Sequence, residues 1–246
     1  PQTDAGAVLA LADKIDTIVG YFGIGERPTG SQDPYSLRRQ AIGIIRILHE
    51  RNYHLPLTPV VEKAIELYGV ELAEDTSATA FEFIKGRIKG LLQTQGYTPD
   101  VIDAVHAVGE VNVLDILNRA SVLTTFRTQP DFDIVYPALN RVLRILPDRP
   151  PTEIHSNLFE DEAEKRLWEH LAEAEAELNR CVQERDYVRL LARLAELQPA
   201  IDQFFDDVLV MAEEPALRSN RLALLNAIAQ KVYALADLRK LVIAGS

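Results

Sequence analysis

Apolar residues recur along the chain at three- and four-residue spacing, while no stretch shows a convincing period-2 alternation of a half-buried strand. Val8, Leu11, Ile15, Ile18, Val19 and Phe22 predict one apolar stripe of a first helix, with Asp4 placed to cap its start. Gly20 and Gly23 weaken its end, and GERPTGSQDP follows as a loop. Its glycines allow unusual backbone angles and its prolines stop helix. Asp33-Pro34 signals the next start, with Asp33 as cap and Pro34 in the first turn, and Leu37, Ala41, Ile44, Ile45 and Leu48 form the buried stripe. A third helix starts at Thr58-Pro59 and ends near Gly69. The polar, small-residue stretch GVELAEDTSATA then reads as a domain boundary.

Further helices follow in order. Phe81, Ile84, Ile88, Leu91 and Leu92 line one that Gly96 closes, and Thr98-Pro99 restarts the chain with Val101, Ile102 and Val105 inward. Val113 to Phe126 is helical again. Residues 132–146 are helical at least after Pro137, which must lie near a helix start or a kink, and DRPPTE is a break. Helices are then expected from about Phe159 to Arg180, from Asp186 to Leu197, and from Pro199 to Met211. A long last one starts at Pro215, with Leu217, Leu224, Leu225, Ile228, Val232 and Leu235 on one side. The expected fold is all-α, a helical bundle built by packing stripe on stripe.

The 246 residues suffice for one or two domains, and hydrophobic residues make up 47%, which excludes a disordered chain. No apolar run approaches the ~18 residues of a membrane span, and neither a signal peptide nor a presequence is evident. The start at Pro1 reads as a piece of a longer polypeptide. Cys181 stands alone, which excludes an internal disulfide and a multi-cysteine zinc site and fits a reducing compartment. His49, His54, His106, His155 and His170 form no HExxH and no close pair, so neither a metal site nor a catalytic one is expected. GIGER lacks the strand–glycine–helix context that binds phosphate. Asp206 and Asp207, adjacent on a helix, point apart, so a solvated helix end is the simpler reading than an acid–base pair.

The net charge of −11 is unevenly spread. Residues 1–150 carry 15 Lys/Arg and 19 Asp/Glu, residues 151–217 carry 6 and 17, and residues 218–246 carry 5 and 1. Because salt screens beyond about 10 Å, a nucleic acid responds to the local field rather than to the total. Arg38 and Arg39 begin a helix beside the glycine-rich loop. Arg119, Arg127, Arg141, Arg144 and Arg149 share a stretch with three aspartates, and Arg218 and Arg221 belong to the basic tail with Lys231, Arg239 and Lys240. Arginine grips phosphate bidentately and stacks on exposed bases. For any one arginine a solvated face or local ion pair is the commoner role, so the clustering counts for the group.

Three stretches, ALADKIDTIVGYFGIGERPTGSQDPYSLRRQAIGIIRIL, GYTPDVIDAVHA, and IDQFFDDVLVMAEEPALRSNRLALLNAI with LADLRKL after it, resemble the β subunit of the bacterial heterotetrameric glycyl-tRNA synthetase. The resemblance runs in order over essentially the whole chain. It implies a C-terminal portion of that subunit: residues 1–74 as the end of an HD-like helical domain, and residues 75–246 as an α-helical anticodon-binding domain similar to the DALR type. ADKID is similar to the helix that carries the last aspartate of HD-type hydrolases, which would place that role at Asp13, but the matching His and His-Asp elements are absent from this sequence. LADLRKL departs from a literal DALR, so the name transfers as fold and not as motif.

The resemblance further implies tRNA(Gly), the α subunit and the rest of the β subunit as partners, with no DNA and no membrane. It implies ATP and Mg2+ for the whole enzyme, with no cofactor and no catalytic residue in this segment, and a cytoplasmic or plastid location. The RNA contacts expected on this basis are Arg119, Arg127, Arg141, Arg144, Arg218 and Arg221, with Arg38 and Arg39 nearer the acceptor arm. Two other readings compete: a helical protein-interaction scaffold without RNA binding, and a fragment of an HD-type phosphohydrolase. The acidic segment 153–177 is expected to face away from RNA.

Overall fold

The computed structural model describes residues 1–109 and 111–243. Among them the secondary structure is helical, as the periodicity requires, and the only extended pairing is an isolated bridge between Thr29 and Gln32 in the first loop. The α-helices are α1 (Asp4–Gly23), α2 (Leu37–Glu50), α3 (Leu57–Glu66), α4 (Thr76–Thr94), α5 (Pro99–His106), α6 (Val113–Phe126), α7 (Phe132–Ile145), α8 (Glu162–Glu184), α9 (Tyr187–Glu196), α10 (Gln198–Asp207) and α11 (Pro215–Leu235). By contact the chain divides into two compact units, Pro1–Ile102 with Glu110–Asn118, and Asp103–Gly109 with Arg119–Ser246. The polar stretch around residue 74 therefore lies inside the first unit.

In the first unit α1 packs on α2, α3 and α4. Leu11, Ile15, Ile18, Val19 and Phe22 are buried as their spacing predicts, but Val8 is 61% exposed, and Ala7 takes the buried position in the first turns of α1 instead. The start of α1 is capped by Thr3, whose hydroxyl accepts from the Gly6 N–H at 3.2 Å. Asp4 instead accepts from the Tyr53 hydroxyl at 2.6 Å and pairs with Arg51, and these two partners hold its carboxyl below the ordinary range.

The loop after α1 ends differently from its sequence signal. Pro34 and Tyr35 form a turn, Ser36 adopts a left-handed conformation, and α2 begins at Leu37. Asp33 still caps, accepting from the Leu37 and Arg38 N–H groups at 2.8 and 3.1 Å. It reaches past the turn, which is why the helix starts three residues later than Asp-Pro suggests.

In the second unit α7, α8 and α9 pack against α11, and α10 packs against α7 and α8. Pro137 sits inside α7 and the helix runs through it, at the cost of one backbone bond. The helix α10 stops at Asp207, short of the expected Met211. Beyond it Val208, Val210 and Ala212 are buried while Leu209 and Met211 point outward. From Asn220 to Ala229 α11 is buried on nearly every side, at Asn220, Arg221, Leu222, Ala223, Leu224, Leu225, Asn226, Ile228 and Ala229. A helix buried all round is a core element rather than a one-faced surface helix.

Two glycines in helices have opposite surroundings. At Gly20 a β-carbon would run into the Tyr68 side chain, whose hydroxyl donates to the Asp16 carbonyl at 2.8 Å, whereas above Gly90 in α4 the space is open. Gly90→Ala should therefore raise stability by about 0.5–1 kcal/mol, the intrinsic helix preference of alanine. Gly20→Ala should not gain it, because the Tyr68 bond is displaced. Denaturant unfolding of the two variants tests this, and an equal gain in both would contradict the packing described.

Candidate nucleic-acid interface

The sequence-predicted arginines separate by burial. Arg119 is fully buried; its Nη1 donates to the carbonyls of Val108 and Val105 at 3.0 and 3.2 Å, and to that of Leu235 at 3.4 Å. Gly109 leaves room for it, since a β-carbon there would lie 2.9 Å from Nη1 at a positive φ of 76°. Arg221 is also buried. Its Nε and Nη2 donate to the fully buried Glu164 at 2.9 and 3.3 Å, and its Nη1 to the Leu209 carbonyl at 3.0 Å. Of the arginines expected to meet RNA, Arg119 and Arg221 have both guanidiniums turned into the protein and engaged by internal acceptors. Spacing carried the clue. Arg119 falls on the stripe Ile116, Ala120, Leu123, and Arg221 on the stripe Leu224, Leu225, Ile228.

The remaining arginines keep contact with solvent. Arg141 and Arg144 lie on the outer side of α7 and are exposed. Arg141 sits over the Phe205 ring at 4.2 Å from its centre, a cation–π contact that orients the guanidinium without consuming its N–H donors. Arg127, half-buried after α6, donates to the Val242 carbonyl at 3.0 Å. Arg127 and Arg144 come together around one side chain, for burial pushes the Tyr136 hydroxyl up while the charges of both arginines pull it down, with burial prevailing. Arg218 is half-buried and donates to the Ala212 carbonyl at 3.1 Å, holding the segment after α10. In the first unit Arg38 folds back onto the Gly30 carbonyl at 2.7 Å, while Arg39 is exposed.

Several side chains that shape this surface are not arginines, and charge clustering does not single them out. Asn220 accepts from the His155 N–H at 2.7 Å and donates to the His155 carbonyl at 3.1 Å, treating that residue as a neighbouring strand would. Asn226 donates to the Pro151 carbonyl at 3.0 Å. Glu164 accepts from the Glu160 and Asp161 N–H groups at 3.0 and 2.9 Å, completing a capping box at the start of α8. The signal was present: Asn220 and Asn226 bracket and interrupt an apolar run, RLALLNAIA, with no polar face to put them on.

Other candidates fall into structural roles. Cys181 is buried, and that burial pushes its thiol up, away from a reactive thiolate. Asp206 and Asp207 are both exposed at the end of α10. Burial pushes the Asp237 carboxyl up, but bonds from the Arg239 side chain and N–H outweigh it and hold it below the ordinary aspartate range. Among the described residues no group of three or more His, Cys, Asp or Glu gathers as metal ligands, and no helix is long and apolar enough to cross a membrane.

The buried and exposed arginines should behave oppositely when shortened. Arg221→Met strands the Glu164 carboxylate in the core and should cost about 3–5 kcal/mol, as for other broken buried pairs. Arg144→Met should change stability by less than about 0.5 kcal/mol. Comparable losses in the two variants, read by urea unfolding, would contradict the assignment.

Comparison with known proteins agrees with this architecture. The sequence model of the glycyl-tRNA synthetase beta subunit family matches residues 1–107, and that of the DALR anticodon binding domain matches residues 139–238. The chain is similar to the glycine–tRNA ligase beta subunit of Desulforamulus reducens, at 40% identity over 99% of this chain and 36% of the relative. It is likewise similar to those of Geotalea daltonii, at 40% identity over 98% of this chain and 35% of the relative, and of Anaeromyxobacter dehalogenans, at 40% over 98% and 35%. The chain spans about a third of the length of these curated relatives. With two family models in register with an all-helical fold, and relatives at this identity along nearly its whole length, the chain belongs to the glycyl-tRNA synthetase β-subunit family.

Proposed function

We propose that this chain is the tRNA-binding, anticodon-recognising portion of a glycine–tRNA ligase β subunit. It supports the ATP- and Mg2+-dependent joining of glycine to tRNA(Gly) together with an α subunit and the rest of the β chain, in the cytoplasm or a plastid. The observation that carries the reading is the succession, in one chain, of a β-subunit match and an anticodon-binding-domain match. The naming of residues 1–74 as the end of an HD-like domain and of 75–246 as the anticodon-binding domain belongs to the same proposal.

Glycine offers a synthetase almost no side chain to grip, so the tRNA must be identified by its own features. Glycine codons begin GG, and the matching anticodons therefore end in two cytosines. Recognition of a single-stranded loop combines base-edge hydrogen bonds and stacking with cations on the flanking phosphates. Arg141 and Arg144 on the outside of α7 suit the phosphate role, with Arg127 beside them, and Arg218 steadies the segment after α10. Arg39, with Arg38 folded beside it, serves nearer the acceptor arm. Arg119 and Arg221 act through the fold alone. The outer face of α8, where Glu169 and Glu173 are exposed, turns away from the phosphates.

The test uses the complete β subunit assembled with its α subunit. Arg141→Glu with Arg144→Glu should weaken tRNA(Gly) binding and flatten the dependence of log affinity on log salt by about one to two units, roughly one for each phosphate no longer gripped. Unchanged affinity and unchanged salt slope would remove these arginines from the interface and favour a protein-interaction scaffold.

A further inference from the structure

Beside the start of α11 lies an open cleft of about 460 Å3. One wall is the irregular segment after α7, with Pro151, Thr152, Glu153 and His155; the other is the first turns of α11, with Ala216 and Ser219. Its walls are tied by buried asparagines of α11, Asn220 to both backbone groups of His155 and Asn226 to the Pro151 carbonyl. The segment therefore cannot drift from the helix without orphaning buried amides. The cleft is a preformed feature rather than a gap between loose loops.

Glu153 and His155 project together on one side of this segment, with a carboxylate oxygen 3.8 Å from Nε2 of the imidazole. Both are largely solvent-facing, Glu153 at 87% of its side chain and His155 at 53%. The remaining lining is a mixture of apolar surface, from Pro151, Leu158 and Ala216, and hydroxyls, from Thr152 and Ser219. No lysine or arginine is among these lining residues, and the fixed charge is a carboxylate. A phosphate is therefore disfavoured. What fits is a flat, uncharged, half-polar ring that brings an N–H donor to Glu153 and a face to the imidazole.

We infer that the cleft seats one unstacked cytosine of a single-stranded RNA loop. Glu153 accepts the exocyclic amine, which is the pairing of carboxylate with cytosine expected from donor and acceptor geometry. His155 offers its ring face for stacking, as aromatic side chains do for splayed-out bases. Uracil presents a carbonyl where cytosine presents the amine, so the same carboxylate repels it. Of the bases with an exocyclic amine, cytosine is the one shared by glycine anticodons, and to that extent the inference rests on the proposed function. Glu153 and His155 are then exempt from the expectation that the acidic segment 153–177 faces away from RNA.

The experiment measures affinity of the complete β subunit, assembled with its α subunit, for a tRNA(Gly) transcript and for transcripts with each anticodon cytosine changed to uracil. In the unaltered protein one of the two changes should weaken binding about tenfold. Glu153→Gln, which can donate as well as accept, should remove most of that preference without weakening the uracil transcript. Ala216→Trp should fill the cleft and weaken the cytosine transcript, with equal binding to a tRNA lacking its anticodon arm as the control for folding. A cytosine preference that survives both variants would overturn the cleft while leaving anticodon reading intact elsewhere on the chain. No cytosine preference in the unaltered protein would overturn the anticodon reading itself. If Glu153→Gln changed only assembly with the other subunit, the cleft would be a protein contact and the inference would fall.

Discussion

The second unit depends on how one buried helix satisfies its polar residues. In α11 the central residues have no solvent side, yet Asn220, Arg221 and Asn226 lie among them. A buried polar group without a partner costs about 1–3 kcal/mol, and a buried unpaired charge more. Each finds a partner outside the helix, and each of the three bonds a carbonyl or N–H of irregular backbone. Asn220 takes His155, Asn226 takes Pro151, and Arg221 takes the Leu209 carbonyl along with Glu164, which itself holds the N–H groups before α8. The same bonds that avoid orphaned groups fix the segments that frame the cleft.

This arrangement separates two kinds of arginine that composition alone treats as equal. Inward arginines, Arg119 and Arg221, bind carbonyls or a carboxylate and give shape. Outward ones, Arg141 and Arg144 on α7 above all, retain donors for a ligand, and the Phe205 ring beneath Arg141 positions its guanidinium without using those donors. A net-acidic chain can thus present cations locally while its negative charge sits on the solvated face of α8 and in short-range pairs such as Glu177 with Arg189 and Arg193.

Much of this was legible in the sequence. Three- and four-residue spacing located the helices, and Val113–Phe126 agrees to the residue, because long amphipathic helices carry a periodic signal that tertiary contacts reinforce. The boundaries moved where a side chain reached across a turn, as Asp33 does to α2, or where the chain left the helix to bury alternate residues, as Val208, Val210 and Ala212 do after α10. The burial of Arg119 was encoded by its register among Ile116, Ala120 and Leu123, but the prior that arginine belongs outside masked it. The cleft was illegible, since it joins His155 to Asn220 across 65 residues and no local pattern records that pairing.

The most direct measurement is amide hydrogen exchange at His155, Glu160 and Asp161, followed by NMR. These N–H groups lie outside the α-helices and donate to side chains of buried residues, Asn220 for the first and Glu164 for the other two. If those side chains set the architecture, the three amides exchange slowly, like the interior of α11, and Arg221→Met speeds Glu160 and Asp161 before His155. Exchange at the rate of exposed loop amides would show that the segments are not held by α11, and would contradict the account.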